Sequence, residues 1–253
     1  MTDYGFDTAS TVTNSLASAA VGHYGVGAWI RYFDPTPGAS TISSSSGTAV
    51  GEIDAMKANG AHHLCPITEP YQTRLSTGGS TGHSYGVSDA STFITAMADV
   101  VEWTGISVPN SLICYLCLES GYGLTGDYWN GWATTINSAV FLGAEPLYAG
   151  LYLNPSTSSG ACSTVASAGS GEECYAIWTS TPEPCSRCLT PFSQLSGWSG
   201  TPCSSLPSYM WQYAEAGSAG CYSPTCGYIE LPANVDLDAI SAEYGALGQM
   251  FSF

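Results

Sequence analysis

Four acidic side chains stand where apolar, strand-like runs end: Asp7, Glu69, Glu119 and Asp236. A carboxylate at the mouth of an apolar strand is costly unless it is paired or put to use. Glu119 is the sharpest case, because it follows Leu112 to Leu118, a nearly unbroken apolar run. A carboxyl in that setting is expected to hold its proton above the usual Glu range and to act as a general acid. Glycoside hydrolysis needs such an acid and a second carboxylate, nearer for retention and farther for inversion. Asp7 and Asp236 are candidates for the second group, and Glu69 for positioning water or substrate. The plainer alternative is a set of caps and buried partners, with Glu119 salt-bridged to Arg31.

Aromatic residues gather at the same strand ends: Tyr32, Phe33, Tyr71, Tyr122, Tyr128, Trp129, Tyr152, Trp178, Trp211 and Tyr213. Sugar rings stack their C–H faces on such rings, and Tyr and Trp add a polar handle. Arg31, Tyr152, Trp178, Trp211 and Gln212 are the expected substrate contacts. Any one of these aromatics alone would more readily be core.

The elements that must position these groups alternate along the chain. Strand-like runs cover 3–7, 26–33, 62–69, 112–119, 146–153, 174–179, 208–213 and 233–237. Helix-like stretches or long loops separate them. Ser88 reads as the N-cap of a helix over 89–103, after a Gly/Ser/Thr loop over 76–84. A second helix is expected over 127–142. Eight strands with such crossovers in 253 residues predict one α/β domain, a (β/α)8 TIM-like barrel with disulfide-stapled loops in its C-terminal third. Its active face would be the C-terminal ends of the strands. A doubly wound sheet is the alternative, but the P-loop and the Gly-x-Gly-x-x-Gly fingerprint are both missing. No Gly-x-Ser-x-Gly elbow supports a serine hydrolase.

Charge narrows the partners. Arg31, Lys57, Arg74 and Arg187 face 20 acidic residues, a net charge of -16. So few cations cannot neutralise many phosphates, which speaks against nucleic acid and against anionic lipid. No apolar run reaches membrane-spanning length, so no membrane insertion is expected. A polysaccharide or other neutral glycan fits better. Strand-like residues begin almost at the first position, which reads as a mature form, a trimmed chain, or a protein exported without a cleaved leader.

Taken in order, Tyr4-Gly-Phe-Asp7, Ile30-Arg-Tyr-Phe33, Pro66-Ile-Thr-Glu69, Pro146-Leu-Tyr-Ala-Gly150, Trp211-Gln-Tyr213 and Asn234-Val-Asp-Leu-Asp238 resemble a known group. They look like the bacterial glycoside-hydrolase-like domains of unknown function related to the glycoside hydrolase family 25 lysozymes. The resemblance spans nearly the whole chain. It implies a barrel, slightly irregular in some members, and in active relatives the cleavage of peptidoglycan. It matches Asp7 to the first-strand aspartate, Glu119 to the fourth-strand acid and Asp236 to the last-strand aspartate. The lysozymes carry Asp-x-Glu on the fourth strand, and here the first position is Cys117. The alternative is therefore a catalytically inactive barrel that binds glycans or self-associates as a surface or filament subunit.

Ten cysteines in a chain with few charges point to an oxidising, extracellular or cell-surface setting. Cys65, Cys114 and Cys117 read as buried thiols, with a bridge between the third and fourth strands as an option. Cys162, Cys174, Cys185, Cys188, Cys203, Cys221 and Cys226 are the disulfide candidates, with Cys162–Cys174 and Cys221–Cys226 expected as local bridges and one further pair among the remaining three. A zinc site from Cys185-x-x-Cys188 and Cys221-x4-Cys226 is a weaker alternative. The four histidines show no metal spacing, so no metal or cofactor is expected.

Overall fold

The computed structural model describes residues 3–24, 27–34, 40–142, 146–154, 159–180, 203, 206–214, 235–241 and 245–253. In chain order the elements are β1 (Asp3–Thr8), α1 (Asn14–Tyr24), β2 (Ala28–Tyr32), α2 (Ser46–Ala58), β3 (His63–Thr68), α3 (Gln72–Leu75), α4 (Gly79–Thr104), β4 (Leu112–Leu118), α5 (Gly126–Asn137), β5 (Leu147–Leu153), α6 (Ser159–Ala166), β6 (Ala176–Ser180), β7 (Ser208–Ala214), β8 (Asp236–Ile240) and β9 (Phe251–Ser252). Strands β1 to β8 close into a barrel in the order β2-β1-β8-β7-β6-β5-β4-β3, with β2 pairing back onto β3.

Seven of these strands run parallel, and β8 runs antiparallel to both β1 and β7. The start of β8 therefore lies at the C-terminal ends of its neighbours, and Asp236 is in register with Asp7. The last strand was expected over 233–237, which would have put Asp236 near its end. It begins at Asp236 instead and reaches the same face because it runs backwards.

The period-two alternation of the strands separates two apolar layers. Ile30, Cys65, Ile67, Ile113, Tyr115, Trp178, Met210 and Ile240 point inward and fill the barrel. Phe6, Trp29, Leu64, Leu116, Leu151, Trp211 and Tyr213 point outward against the helices. Each large apolar side chain so buried contributes about 1.5–3 kcal/mol. Cys65 and Cys114 fall on opposite layers, and both are free, so the third and fourth strands carry no bridge between them.

Helix α4 starts about ten residues before the expected 89–103 segment, so Ser88 is inside the helix and not its cap. Gly82, within the stretch read as a loop, and Gly86 are packing residues. A Cβ on Gly86 would sit 2.2 Å from Tyr128 O, and one on Gly131 would sit 2.2 Å from His83 O. Only glycine permits α4 and α5 to cross this closely. Thr125 caps α5, accepting from Tyr128 N at 3.3 Å and donating to Thr77 O at 2.7 Å. Helix α5 ends at Asn137 rather than near 142.

The C-terminal segment closes the other end of the barrel. Ala246 and Met250 pack into the inner layer, and β9 pairs with the first residues of β3. Phe251 stacks on Phe33 in the outer layer at 5.8 Å.

Candidate functional site

Alternation decides which strand-end residues face the mouth. On β4 and just beyond it, Cys117 and Glu119 share the inward phase of Tyr115. On β7, Gln212 shares the inward phase of Met210, while Trp211 turns out into the helical layer. Trp211 is therefore core, and its expected place against the substrate is corrected. The rings of Phe33, Tyr128, Trp129 and Tyr213 are likewise buried in the outer layer.

Arg31 also faces outward. Its guanidinium grips Glu52 through Nε at 2.7 Å and Nη2 at 3.1 Å, and donates to Thr8 O and Ser40 O at 2.5 and 2.9 Å. Both partners are buried. Arg31 nails the end of β1 to α2 and is neither a substrate contact nor a partner of Glu119.

One flank of the mouth, built by β1, β5, β6, β7 and β8, is bound together by hydrogen bonds. Gln212 Nε2 donates to Asp7 Oδ2 at 2.7 Å and to Asp236 Oδ2 at 3.1 Å. Tyr152 O–H donates to Gln212 Oε1 at 2.9 Å, which fixes the amide between them. Trp178 is buried and packs edge-on to Tyr152 with centroids 4.5 Å apart. Its indole N–H donates to Asp238 Oδ1 at 2.8 Å. Trp178 is thus the floor of the site rather than an open platform.

Asp238 was not singled out from the sequence, although Asp236-Leu-Asp238 shows the inward period of a strand. Burial pushes its pKa up to about 8, the charge of Asp236 adds to that, and hydrogen bonding with Asp7 and Trp178 pulls it back.

The facing flank comes from β3 and β4. Glu69, Cys117 and Glu119 bring ligand atoms within 4.8 Å of one another. Cys117 Sγ donates to Glu119 Oε1 at 3.3 Å. Gln72 braces the strand end, accepting from Glu119 N at 3.0 Å and donating to Cys117 O at 3.1 Å. The carboxyl whose proton is held here is Glu69. Burial raises its pKa to about 7, with help from the charges of Glu119 and Asp34. Asp34 is raised to about 7 as well, by burial, against a 2.6 Å hydrogen bond from Thr68.

Two carboxylates and a thiol in so small a span form a donor set of the kind that takes a divalent cation, and it is the cluster of that compactness among the described residues. Burial, then the charges of Glu119 and Glu69, push the Cys117 thiol well up, which disfavours the thiolate a metal requires.

Among the cysteines, Cys162 pairs with Cys203, across 41 residues. The expected Cys162–Cys174 bridge is corrected: α6 carries Cys162 to the residues leading into β7. Cys174 is a buried free thiol against Ala176 O at 3.5 Å. Cys185, Cys188, Cys221 and Cys226 lie outside the described residues, so their pairing and the zinc alternative do too.

The sequence matches no protein-family model and no curated protein. Solved structures do share the fold. An uncharacterized protein of B. stearothermophilus superposes with a TM-score of 0.70 at 19% identity, over 98% of this chain and 99% of that one. The Mycobacterium tuberculosis Tat-secreted protein Rv2525c, solved in complex with L-tartrate, superposes with a TM-score of 0.50 at 14% identity, over 95% of each chain. At such identities the likeness speaks for the barrel alone. Among the described residues, no helix is long and apolar enough to cross a membrane.

Proposed function

We propose that this protein is a lysozyme-like glycoside hydrolase acting outside the cytoplasm on a cell-wall or related polysaccharide. The observation that carries this reading is the Glu69–Glu119 pair: two carboxyls at the mouth, their oxygens within 4.8 Å, one held protonated to about pH 7. Glu69 is then the general acid, a role the sequence pattern had suggested for Glu119. Glu69 gives its proton to the glycosidic oxygen as the bond to the anomeric carbon breaks. Glu119 is the carboxylate that meets that carbon. So short a separation fits retention, since inversion needs roughly 6.5–9.5 Å to hold a water between the two groups. Asp7, Gln212 and Asp236 face the sugar from the other flank and orient its hydroxyls. The Cys162–Cys203 disulfide supports the extracellular placement.

Hydrolysis of purified peptidoglycan and neutral glucans tests the reading, with Glu69→Gln and Glu119→Gln beside the wild type. Cleavage should fall at least about 100-fold in each variant. Wild-type activity should decline as pH rises through about 7, where Glu69 loses its proton. A folded wild type that cleaves no member of the panel would overturn the assignment.

One observation favours a second reading. Cys117, a thiol, sits on the β3–β4 flank between Glu69 and Glu119 in the cluster and spends its S–H on Glu119. Rv2525c was solved with L-tartrate, a small polyhydroxy acid. A barrel that holds a hydroxyl-rich ligand without turning it over, or that assembles with copies of itself, would show binding on the same panel and no cleavage.

A further inference from the structure

Tyr71 lies at the rim of the mouth and is 59% exposed, the most exposed of the large aromatics among the described residues. We infer that Tyr71 is the stacking platform for the sugar unit beside the one cleaved, and that the ligand is a neutral oligosaccharide chain rather than a single sugar. This rests on the glycan reading of the mouth given above.

Placement comes first. Tyr71 is two residues beyond Glu69, so their Cα atoms are at most about 7.6 Å apart. That is the scale of one pyranose ring. The turn that carries Tyr71 is bolted to the reacting flank: Gln72, its next residue, holds both Glu119 N and Cys117 O. Tyr71 therefore keeps a fixed offset from both carboxyls.

Rigidity comes second. The Arg74 guanidinium lies 5.4 Å from the Tyr71 ring centre and 5.0 Å from that of Tyr85. Arg74 Nη1 donates to Asp89 Oδ1 at 2.5 Å, and Asp89 Oδ2 accepts from Tyr128 O–H at 2.9 Å. The exposed ring is thus backed by a chain of held groups that ends in buried core. A pre-ordered aromatic loses little freedom on binding, which is what a stacking platform needs. Asp89 offsets the charge of Arg74, so the platform presents an apolar face with no net charge. A neutral sugar ring suits it better than an anionic one, which the nearby carboxylates would repel.

Calorimetric titration with oligomers of N-acetylglucosamine and of glucose, two to six units long, tests this by binding and not by turnover. Wild-type affinity for at least one series should rise with length. Tyr71→Ala should lose about 10-fold on the longer members and little on the dimer, and Tyr71→Trp should keep the gain. Tyr175→Ala, exposed at the opposite end of the barrel, should bind as the wild type does. A folded Tyr71→Ala protein with wild-type affinity at every length would overturn the platform and leave the glycan reading standing. A length-dependent loss without any cleavage would support the platform and count against the hydrolase. No binding of either series by the wild type would overturn the platform, and cleavage of the peptidoglycan and glucan panel then decides the hydrolase reading.

Discussion

The two flanks of the barrel mouth are made of the same residue types and behave differently. On the β1–β7–β8 side, Gln212 stands between Asp7 and Asp236 and donates to both, and Trp178 donates to Asp238. On the β3–β4 side, Glu69 feels burial and the charges of Glu119 and Asp34. The first flank has its acids held by donors, which fixes geometry. The second leaves an acid poised near neutrality, which is where a proton can be exchanged. Each flank holds one acid near neutrality, Asp238 at about 8 and Glu69 at about 7; what separates the flanks is that Asp7 and Asp236 share one amide donor, whereas the donor beside Glu69 and Glu119 is the Cys117 thiol, which is spent on Glu119.

The largest break should come from Trp178→Ala. It removes a buried ring from the inner layer and strips Asp238 of its indole donor. A loss of about 3–5 kcal/mol is expected from chemical denaturation. Gln212→Leu comes next, because it leaves Asp7 and Asp236 side by side without their shared amide. That should cost about 1–3 kcal/mol in the same measurement.

The pH dependence of stability is a smaller lever. Asp34, Glu69 and Asp238 all bind their protons more tightly in the folded chain than when unfolded. The folded state therefore holds more protons than the unfolded one between the ordinary carboxylate range and about pH 7–8, so stability falls as pH rises through that window. Thermal unfolding should be several degrees higher at pH 5 than at pH 8; a flat profile would contradict the assignment of protons to these groups. Smallest should be Glu69→Gln, which removes a charge repelled by its neighbours. It is expected to leave stability unchanged or raised by under about 1 kcal/mol, in contrast to Gln212→Leu. A large loss there would erase the distinction between the flanks.

Much of this was written in the residue order. Unbroken apolar runs such as Leu112 to Leu118 identify barrel strands, and Glu119 comes to the mouth because it ends that run in the inward phase of the strand's alternation. The same phase, followed one residue further, separates Gln212 from Trp211. An aromatic residue at a strand end carries no label for which layer it joins, and Trp211 was misplaced for that reason. Arg31 was misplaced because its partner, Glu52, is 21 residues away on α2, where only the folded chain brings it. Helix α4 is longer than its sequence suggests because glycine disfavours helices in isolation; here its lack of a Cβ is what the contact with α5 demands. The reversal of β8 leaves no local signature, since strand direction is set by the path of the chain between elements. Asp236 was found at the mouth on the wrong ground. Which Glu holds the proton depends on desolvation and on charges from separate strands, and spacing does not reveal either.

The seal made by Ala246 and Met250 under the barrel has a consequence for traffic. With that end shut and the interior packed by Tyr115, Trp178 and Met210, the described barrel offers no passage from one end to the other. On the proposed reading, a glycan reaches the strand-end carboxylates from the mouth and not through the barrel. Whatever enters at the mouth must leave by it.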